Sequence, residues 1–267
     1  MAATGPAPAP PARPLLELRG IHKTFRRSGA VVEAVKAVDL MVGVGETVAL
    51  VGESGSGKST LGRIALCLLR PDRGKVFLKG LCLTDLGSHD LRVARVAMQP
   101  IFQDPTSSFN PRRTVADLLG QALHRFPLPD RPPRAVKLLE GVGLHPGETF
   151  LPRYPHELSG GQRQRLAIAR ALAMDPILII ADEPLSGADV SIRGQILNLL
   201  SDLQVQQGVA YLMITHDISI ARAFAHRVAV MMQGEIVETG TAGEVLTNPR
   251  HPYTQRLLAA VPTLGSK

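Results

Sequence analysis

The residues Gly52-Glu53-Ser54-Gly55-Ser56-Gly57-Lys58-Ser59-Thr60 concentrate the groups needed to hold a phosphate chain. They fit G-x-x-x-x-G-K-[ST]. The apolar run Thr47 to Val51 before them predicts a buried strand, and Leu61 to Leu69, ending before Pro71, predicts a helix. Glycines let successive backbone N–H groups turn toward one anion, and the positive end of the helix adds to that field. Lys58 supplies a mobile charge for the outer phosphates of a nucleotide, and the Ser59 hydroxyl suits Mg²⁺. A side chain at Gly57 is expected to crowd the phosphate. The plain alternative is a glycine turn joining a strand to a helix.

Further groups complete the same chemistry. Ile177 to Ala181 reads as a buried parallel strand that delivers Asp182 and Glu183 at its carboxyl end, where ligands gather in parallel sheets. Asp182 is expected to hold Mg²⁺ through water and Glu183 to polarise the water that attacks the γ-phosphate. An acidic pair at a helix start is the structural alternative. His216, in Thr215-His216-Asp217, follows the strand-like run Val209 to Ile214 and could reach the γ-phosphate and orient Glu183; taken alone, it is equally a structural histidine. Gln103, beside a turn, says little by itself. Leu158-Ser159-Gly160-Gly161-Gln162 is a second glycine-rich helix start able to bind an anion, or simply a helix capped by Ser159. One nucleotide does not need two such cradles from one face, so the second makes sense if it closes over a nucleotide held by another subunit.

The elements around these residues alternate. Leu15 to Arg19 predicts another strand and Arg26 to Gly29 a turn. Val115, Leu118, Leu119, Ala122, Leu123 and Phe126 recur at helical spacing, and a proline-rich link, Pro127 to Pro133, leads to a second helical stretch. Helical patterning returns at Gln162 to Met174 and again with Ile196, Leu199, Leu200 and Leu203. Strands alternating with helices predict an α/β core, and the lack of an internal repeat predicts one cassette.

Composition narrows the class. A length of 267 residues allows a sizeable core, and 45% hydrophobic with 20% charged residues fits a globular protein rather than an integral membrane one. The longest apolar stretch, Leu166 to Ala181, is interrupted by Arg170, Asp175 and Pro176, so membrane association is expected to go through a partner. The net charge of +7 favours polyanions, but 4% aromatic content with no Trp leaves little to stack on bases, and no nucleic-acid partner is expected. Cys67 and Cys82 form no disulfide framework or metal motif, which fits a reducing compartment. Met1 to Pro14 is rich in Ala and Pro and reads as a disordered tail rather than a secretory signal.

Together these motifs resemble the ATPase subunits of ABC transporters, over Leu15 to about Pro262. In that resemblance Gly52 to Thr60 is the Walker A loop, Gln103 the Q-loop and a further Mg²⁺ contact, and Leu158 to Gln162 the signature. Asp182 and Glu183 end Walker B, and His216 is the switch histidine. Phe25 looks like the aromatic that stacks on adenine, an ordinary core Phe being the alternative. The family resemblance implies an α/β P-loop NTPase core of ABC type with an antiparallel β subdomain and an inserted helical subdomain at about 104–174. The ATPase domain would then run over 15–248, followed by an extension at 249–267. Ser186-Gly187-Ala188-Asp189 stands where relatives usually read Ser-Ala-Leu-Asp, keeping the polar ends but losing the Leu side chain.

Gln103 to Arg112 and His251-Pro252-Tyr253-Thr254-Gln255 are similar to the dipeptide, oligopeptide and nickel importer ATPases, the first particularly to the second of their two paralogues. That resemblance implies ATP and Mg²⁺ as ligands and a heterodimer with a paralogous ATPase. It also implies two permeases, an extracytoplasmic binding protein acting indirectly, and a peripheral place on the cytoplasmic face of the cell membrane. The rival within the fold is an accessory ATPase of a phosphonate-cleaving complex.

Overall fold

The computed structural model describes residues 14–27, 30–103, 109–185 and 190–260. Its elements begin with β1 (Pro14–Arg27), β2 (Ala30–Gly43), β3 (Thr47–Val51), α1 (Lys58–Ala65), β4 (Arg73–Leu78), β5 (Leu81–Cys82) and α2 (Ser88–Ala94). Then come β6 (Met98–Ile101), α3 (Val115–Ala122), α4 (Arg131–Gly141), α5 (Gly160–Leu172), β7 (Leu178–Asp182) and α6 (Val190–Gln207). The chain finishes with β8 (Ala210–Thr215), α7 (Ile218–Phe224), β9 (Arg227–Met232), β10 (Glu235–Thr241), α8 (Ala242–Thr247) and α9 (Pro252–Ala259). The described residues fall into two compact units, one up to Val93 with those from Ala210, the other from Ala94 to Val209.

The first unit holds an antiparallel sheet in the order β2-β1-β4-β5 and a second set in the order β10-β9-β3-β8. β3 runs parallel to both β8 and β9. All five of its side chains are buried, as a strand covered on both faces demands, which is why Thr47 to Val51 reads as a continuous apolar run rather than an alternating one. Ala49, Val51, Val228 and Val230 share a core cluster with Ile218 and Ala221 of α7, Val245 and Leu246 of α8, and Tyr253 of α9.

In the second unit β6 pairs in parallel with β7, Met98 with Leu178 through Ile101 with Ala181. Helices α3, α4 and α5 bury Leu118 and Leu119, Leu139, and Leu166 and Ile168 respectively. Thr114 caps α3 in a reciprocal box with Asp117.

Three boundaries differ from the sequence expectation. The helix after the glycine loop starts at Lys58 and stops at Ala65, well before Leu69. Cys67 turns left-handed, φ 51°. The Cys67 and Leu68 N–H groups then close on the carbonyls of Ile64 and Arg63 at 2.8 and 2.9 Å. Arg26 and Arg27 belong to β1 rather than to a turn, and Ser28 and Gly29 lie outside the described residues. The link Pro127 to Pro133 forms a 3₁₀ turn, Leu128–Asp130, and is α-helical from Arg131, because prolines in a first turn lack only N–H groups that the helix leaves without an internal acceptor. Ser186 to Asp189 and Asp104 to Ser108 lie outside the described residues. Among the described residues no helix is long and apolar enough to cross a membrane.

Candidate functional site

In the first unit the glycine loop leaves the carboxyl end of β3 and winds directly into α1, whose N-cap is Gly57 at φ 107°. Lys58 is only 5% exposed. Its Nζ donates to the Gly52 carbonyl at 2.8 Å, the Glu53 carbonyl at 2.6 Å and the Ser56 hydroxyl at 3.3 Å, so the lysine folds back into its own loop. Its charge thus sits inside the loop at a fixed place, with its desolvation offset by three acceptors. Ser54, Gly55 and Ser59 remain exposed and Thr60 half-buried on the outer side.

Two glycines are dictated by neighbours rather than by the ligand. A Cβ on Gly57 would stand 2.2 Å from the Ala34 carbonyl of β2, and one on Gly52, φ 153°, 2.2 Å from the Met231 carbonyl of β9. The sequence expectation placed the crowding at Gly57 on the phosphate; the structure adds a backbone clash that is present without any ligand. Gly57→Ala is therefore expected to cost about 1–3 kcal/mol of stability through strain and to abolish nucleotide binding. Gly55→Ala shares the left-handed strain, φ 81°, but meets no clash around its Cβ, so it should lose less stability than Gly57→Ala. Denaturant melts of the two variants without nucleotide check the difference.

Val51 pairs with Thr215, so the loop and His216 leave neighbouring strand ends on the same edge of the first unit. His216 is exposed, and the buried Thr215 hydroxyl accepts the Asp217 N–H at 3.0 Å. Asp217 in turn caps α7 through the Ser219 N–H at 2.9 Å. Phe25 is 40% exposed rather than buried in the core. Its strand is held from the side by Asp72, which accepts from Lys23 Nζ and from the Thr24 N–H, each at 2.7 Å. The Lys23 ammonium and the Thr24 N–H keep the Asp72 carboxyl below the usual carboxylate range, so the clamp is ionised at neutral pH.

The second unit gathers the other residues in two places. Ile101 pairs with Ala181, so Gln103 and the Asp182–Glu183 pair emerge from neighbouring strand ends. Glu183 takes a left-handed backbone, φ 49°, although it is neither glycine nor asparagine. The buried Gln164 of α5 donates to the carbonyl of Pro184, the next residue, and so holds the turn that presents Glu183. At the start of α5, Ser159 Oγ accepts the Gln162 N–H at 3.2 Å and Gln162 Oε1 accepts the Ser159 N–H at 3.0 Å. The capping alternative for Ser159 is thus realised. It does not exclude anion binding, because a hydroxyl that accepts from Gln162 keeps its own proton to donate outward from an exposed helix start.

Mg²⁺ favours hard oxygen ligands and keeps several waters, needing only one or two from the protein. The Ser59 hydroxyl in the first unit and, in the second, the Gln103 amide oxygen and the Asp182 carboxylate are each donors of that kind. Among the described residues no group of three or more His, Cys, Asp or Glu is placed to hold a metal ion.

Three residues that support these groups were not foreseen. Gly234, in the β9–β10 turn, donates its N–H to the Ser56 carbonyl at 2.9 Å. Tyr253 accepts the Glu53 N–H at 3.0 Å. Gln164 supports Glu183 as described. Sequence spacing gives no signal for the first two, whereas the polar Gln164 within an otherwise apolar helix stripe was a usable one.

The ABC transporter family profile matches residues 35–186, and that of the oligopeptide/dipeptide transporter C-terminal region matches residues 237–267. The glutathione import ATP-binding protein GsiA of Shigella flexneri serotype 5b (strain 8401) is 49% identical over 259 residues, 93% of this chain and 41% of that protein. GsiA of Escherichia coli (strain K12) gives the same figures: 49%, 93% and 41%. The chain therefore spans about two fifths of the length of these curated relatives, 41%. The dimeric ATP-binding cassette MJ0796, solved in a post-hydrolysis state bound to ADP and Pi, superposes with a TM-score of 0.78 at 32% identity, covering 85% of this chain and 98% of that one. CbiO1 from Clostridium perfringens, part of the ABC transporter complex cbiONQ, gives 0.77 at 27% identity, covering 88% and 92%. With the cassette fold shared over most of its length and the family profile matching more than half of its 267 residues, the chain belongs to the ABC transporter family.

Proposed function

We infer that this chain is the ATP-hydrolysing subunit of an importer for peptides, di- or oligopeptides, or for nickel. The carrying observation is the exposed, glycine-rich start of α5, a second anion cradle beside a chain that already has a complete phosphate loop. Lys58, exchanging an inward bond for a phosphate oxygen, and the backbone of Gly52 to Thr60 take the phosphates of ATP, and Phe25 takes the adenine. Ser59, Gln103 and Asp182 hold the Mg²⁺, which when bound neutralises charge on the β- and γ-phosphates. Glu183 orients water in line with the γ-phosphorus, and His216 steadies the γ-phosphate and Glu183. Ser159 to Gln162 close over the nucleotide of a partner subunit, so ATP holds the pair shut and its hydrolysis to ADP and phosphate lets it open.

The match of residues 237–267 to the oligopeptide/dipeptide transporter region supports an importer over an accessory ATPase. The partners that follow are a paralogous ATPase, two permeases, and indirectly an extracytoplasmic binding protein. The chain would work peripherally on the cytoplasmic face of the membrane. We divide it into an ATPase domain over 15–248, with its helical subdomain at about 104–174, and an extension from 249.

The test is uptake of labelled dipeptide, glutathione and nickel by cells lacking the gene and complemented with the parent or with Ser159→Arg. The parent is expected to restore at least one uptake and Ser159→Arg none. ATP affinity measured on the purified variant should stay within about threefold of the parent, because Ser159 acts only on the partner's nucleotide. Loss of the gene without effect on any of these three cargoes or on a labelled oligopeptide would overturn the importer reading.

A further inference from the structure

Tyr253, in the C-terminal run His251 to Gln255, is joined to the phosphate loop by a bond that nucleotide chemistry does not require. Its ring is 4% exposed and shares a core cluster with Val51, Val230, Ile218 and Leu246, so the core fixes its position independently of the hydroxyl. That hydroxyl accepts the Glu53 N–H at 3.0 Å. On the other side Gly234 donates to the Ser56 carbonyl at 2.9 Å, and the Ser56 N–H itself reaches the Glu53 carbonyl at 3.2 Å. The arc from Glu53 to Ser56 is therefore held from behind at both ends.

Both supports come from one segment, and that segment is tied to itself. Glu238 of β10 accepts the N–H groups of Arg250 at 2.8 Å and His251 at 3.0 Å. His251 Nδ1 accepts the Tyr253 N–H at 3.2 Å and so caps α9. Burial by itself would raise the Glu238 carboxyl, but the N–H groups of Arg250 and His251 that it accepts help to hold it below its ordinary value. The anchor is thus a carboxylate, the stronger acceptor, at neutral pH.

We propose that Tyr253 is a positioning residue for ATP: by holding the Glu53 N–H from behind it fixes the Gly52–Glu53 peptide plane, and with it the Gly52 carbonyl that accepts from Lys58 Nζ, and so presets the loop for phosphate. The proposal rests on the reading of Gly52 to Thr60 as the ATP site. The same geometry gives the C-terminal segment a part in nucleotide affinity, delivered through Glu238 and His251.

The experiment measures Mg-ATP affinity by calorimetry, and hydrogen exchange of the Glu53 amide by NMR, on the full chain as parent, Tyr253→Phe, Glu238→Ala and the double variant. Tyr253→Phe keeps the ring in the core, so its melting temperature without nucleotide should stay near the parent's. Its ATP dissociation constant should rise about threefold to tenfold and Glu53 exchange should quicken. The double variant should bind no more than about twofold worse than the weaker single one, because the two residues act in one chain of contacts. Unchanged affinity in Tyr253→Phe, or a loss matched by an equal fall in melting temperature with Glu53 exchange unaltered, would overturn the proposal. Failure of the parent chain itself to bind Mg-ATP would instead sink the underlying reading of the loop.

Discussion

Glu183→Gln is expected to leave ATP binding intact and to slow turnover of the assembled complex about 10²- to 10⁴-fold. The amide has the shape of the carboxylate and can still hold water, but it cannot accept the proton as the water attacks. The backbone at Glu183 is left-handed, φ 49°, and the next carbonyl is held by the buried Gln164. The side chain is thus presented from a fixed turn, and the substitution tests chemistry rather than placement. The measurement is phosphate release in steady state together with nucleotide retained after rapid filtration. Retention should rise as release falls, because the closed pair can no longer discharge its γ-phosphates. Parent-like release would remove Glu183 from the mechanism and return the acidic pair to a structural role.

Lys58→Ala is expected to do the reverse, removing binding before chemistry arises. A hydrogen bond to a charged group contributes about 1.5–3 kcal/mol, so losing one such contact to the outer phosphates weakens ATP binding about 10- to 100-fold. Losing two goes beyond 10²-fold. The same substitution removes the donor from the carbonyls of Gly52 and Glu53 and from the Ser56 hydroxyl. A buried carbonyl left without a donor costs about 1–3 kcal/mol, and Gly52 is buried. The nucleotide-free protein should therefore melt lower as well, a result that loss of a purely ligand-facing lysine would not give. Calorimetric titration with Mg-ATP and thermal melts in its absence separate the two effects. Parent-like melting with lost binding would show that the inward bonds of Lys58 contribute nothing to the loop.

The supports behind the loop and behind Glu183 point to one division of labour. The residues proposed to meet the nucleotide come from strand ends and helix starts, where backbone groups are already directed outward. Residues that hold those ends in place come from elsewhere: Gly234 and Tyr253 behind the loop, Gln164 behind the acidic turn, Asp72 beside the strand of Phe25.

By itself the sequence determined what is written in short spacings. Gly52 to Thr60, the strand Thr47 to Val51, the strand before Asp182 and the capped helix start at Ser159 all follow from residues within a few positions of each other, because backbone turns and caps are local. Helix ends were less legible: α1 stops at Ala65 because Cys67 turns left-handed, and no apolar periodicity announces that. Tertiary structure alone decided why Gly57 must be glycine, since the obstacle is the Ala34 carbonyl on another strand. It alone also brought Tyr253 to Glu53 across 200 residues of chain. Such contacts depend on how strands close in space, which periodicity along the chain does not encode; the left-handed turn at Glu183 belongs with them, being a strained backbone held by Gln164 rather than a preference of the residue itself.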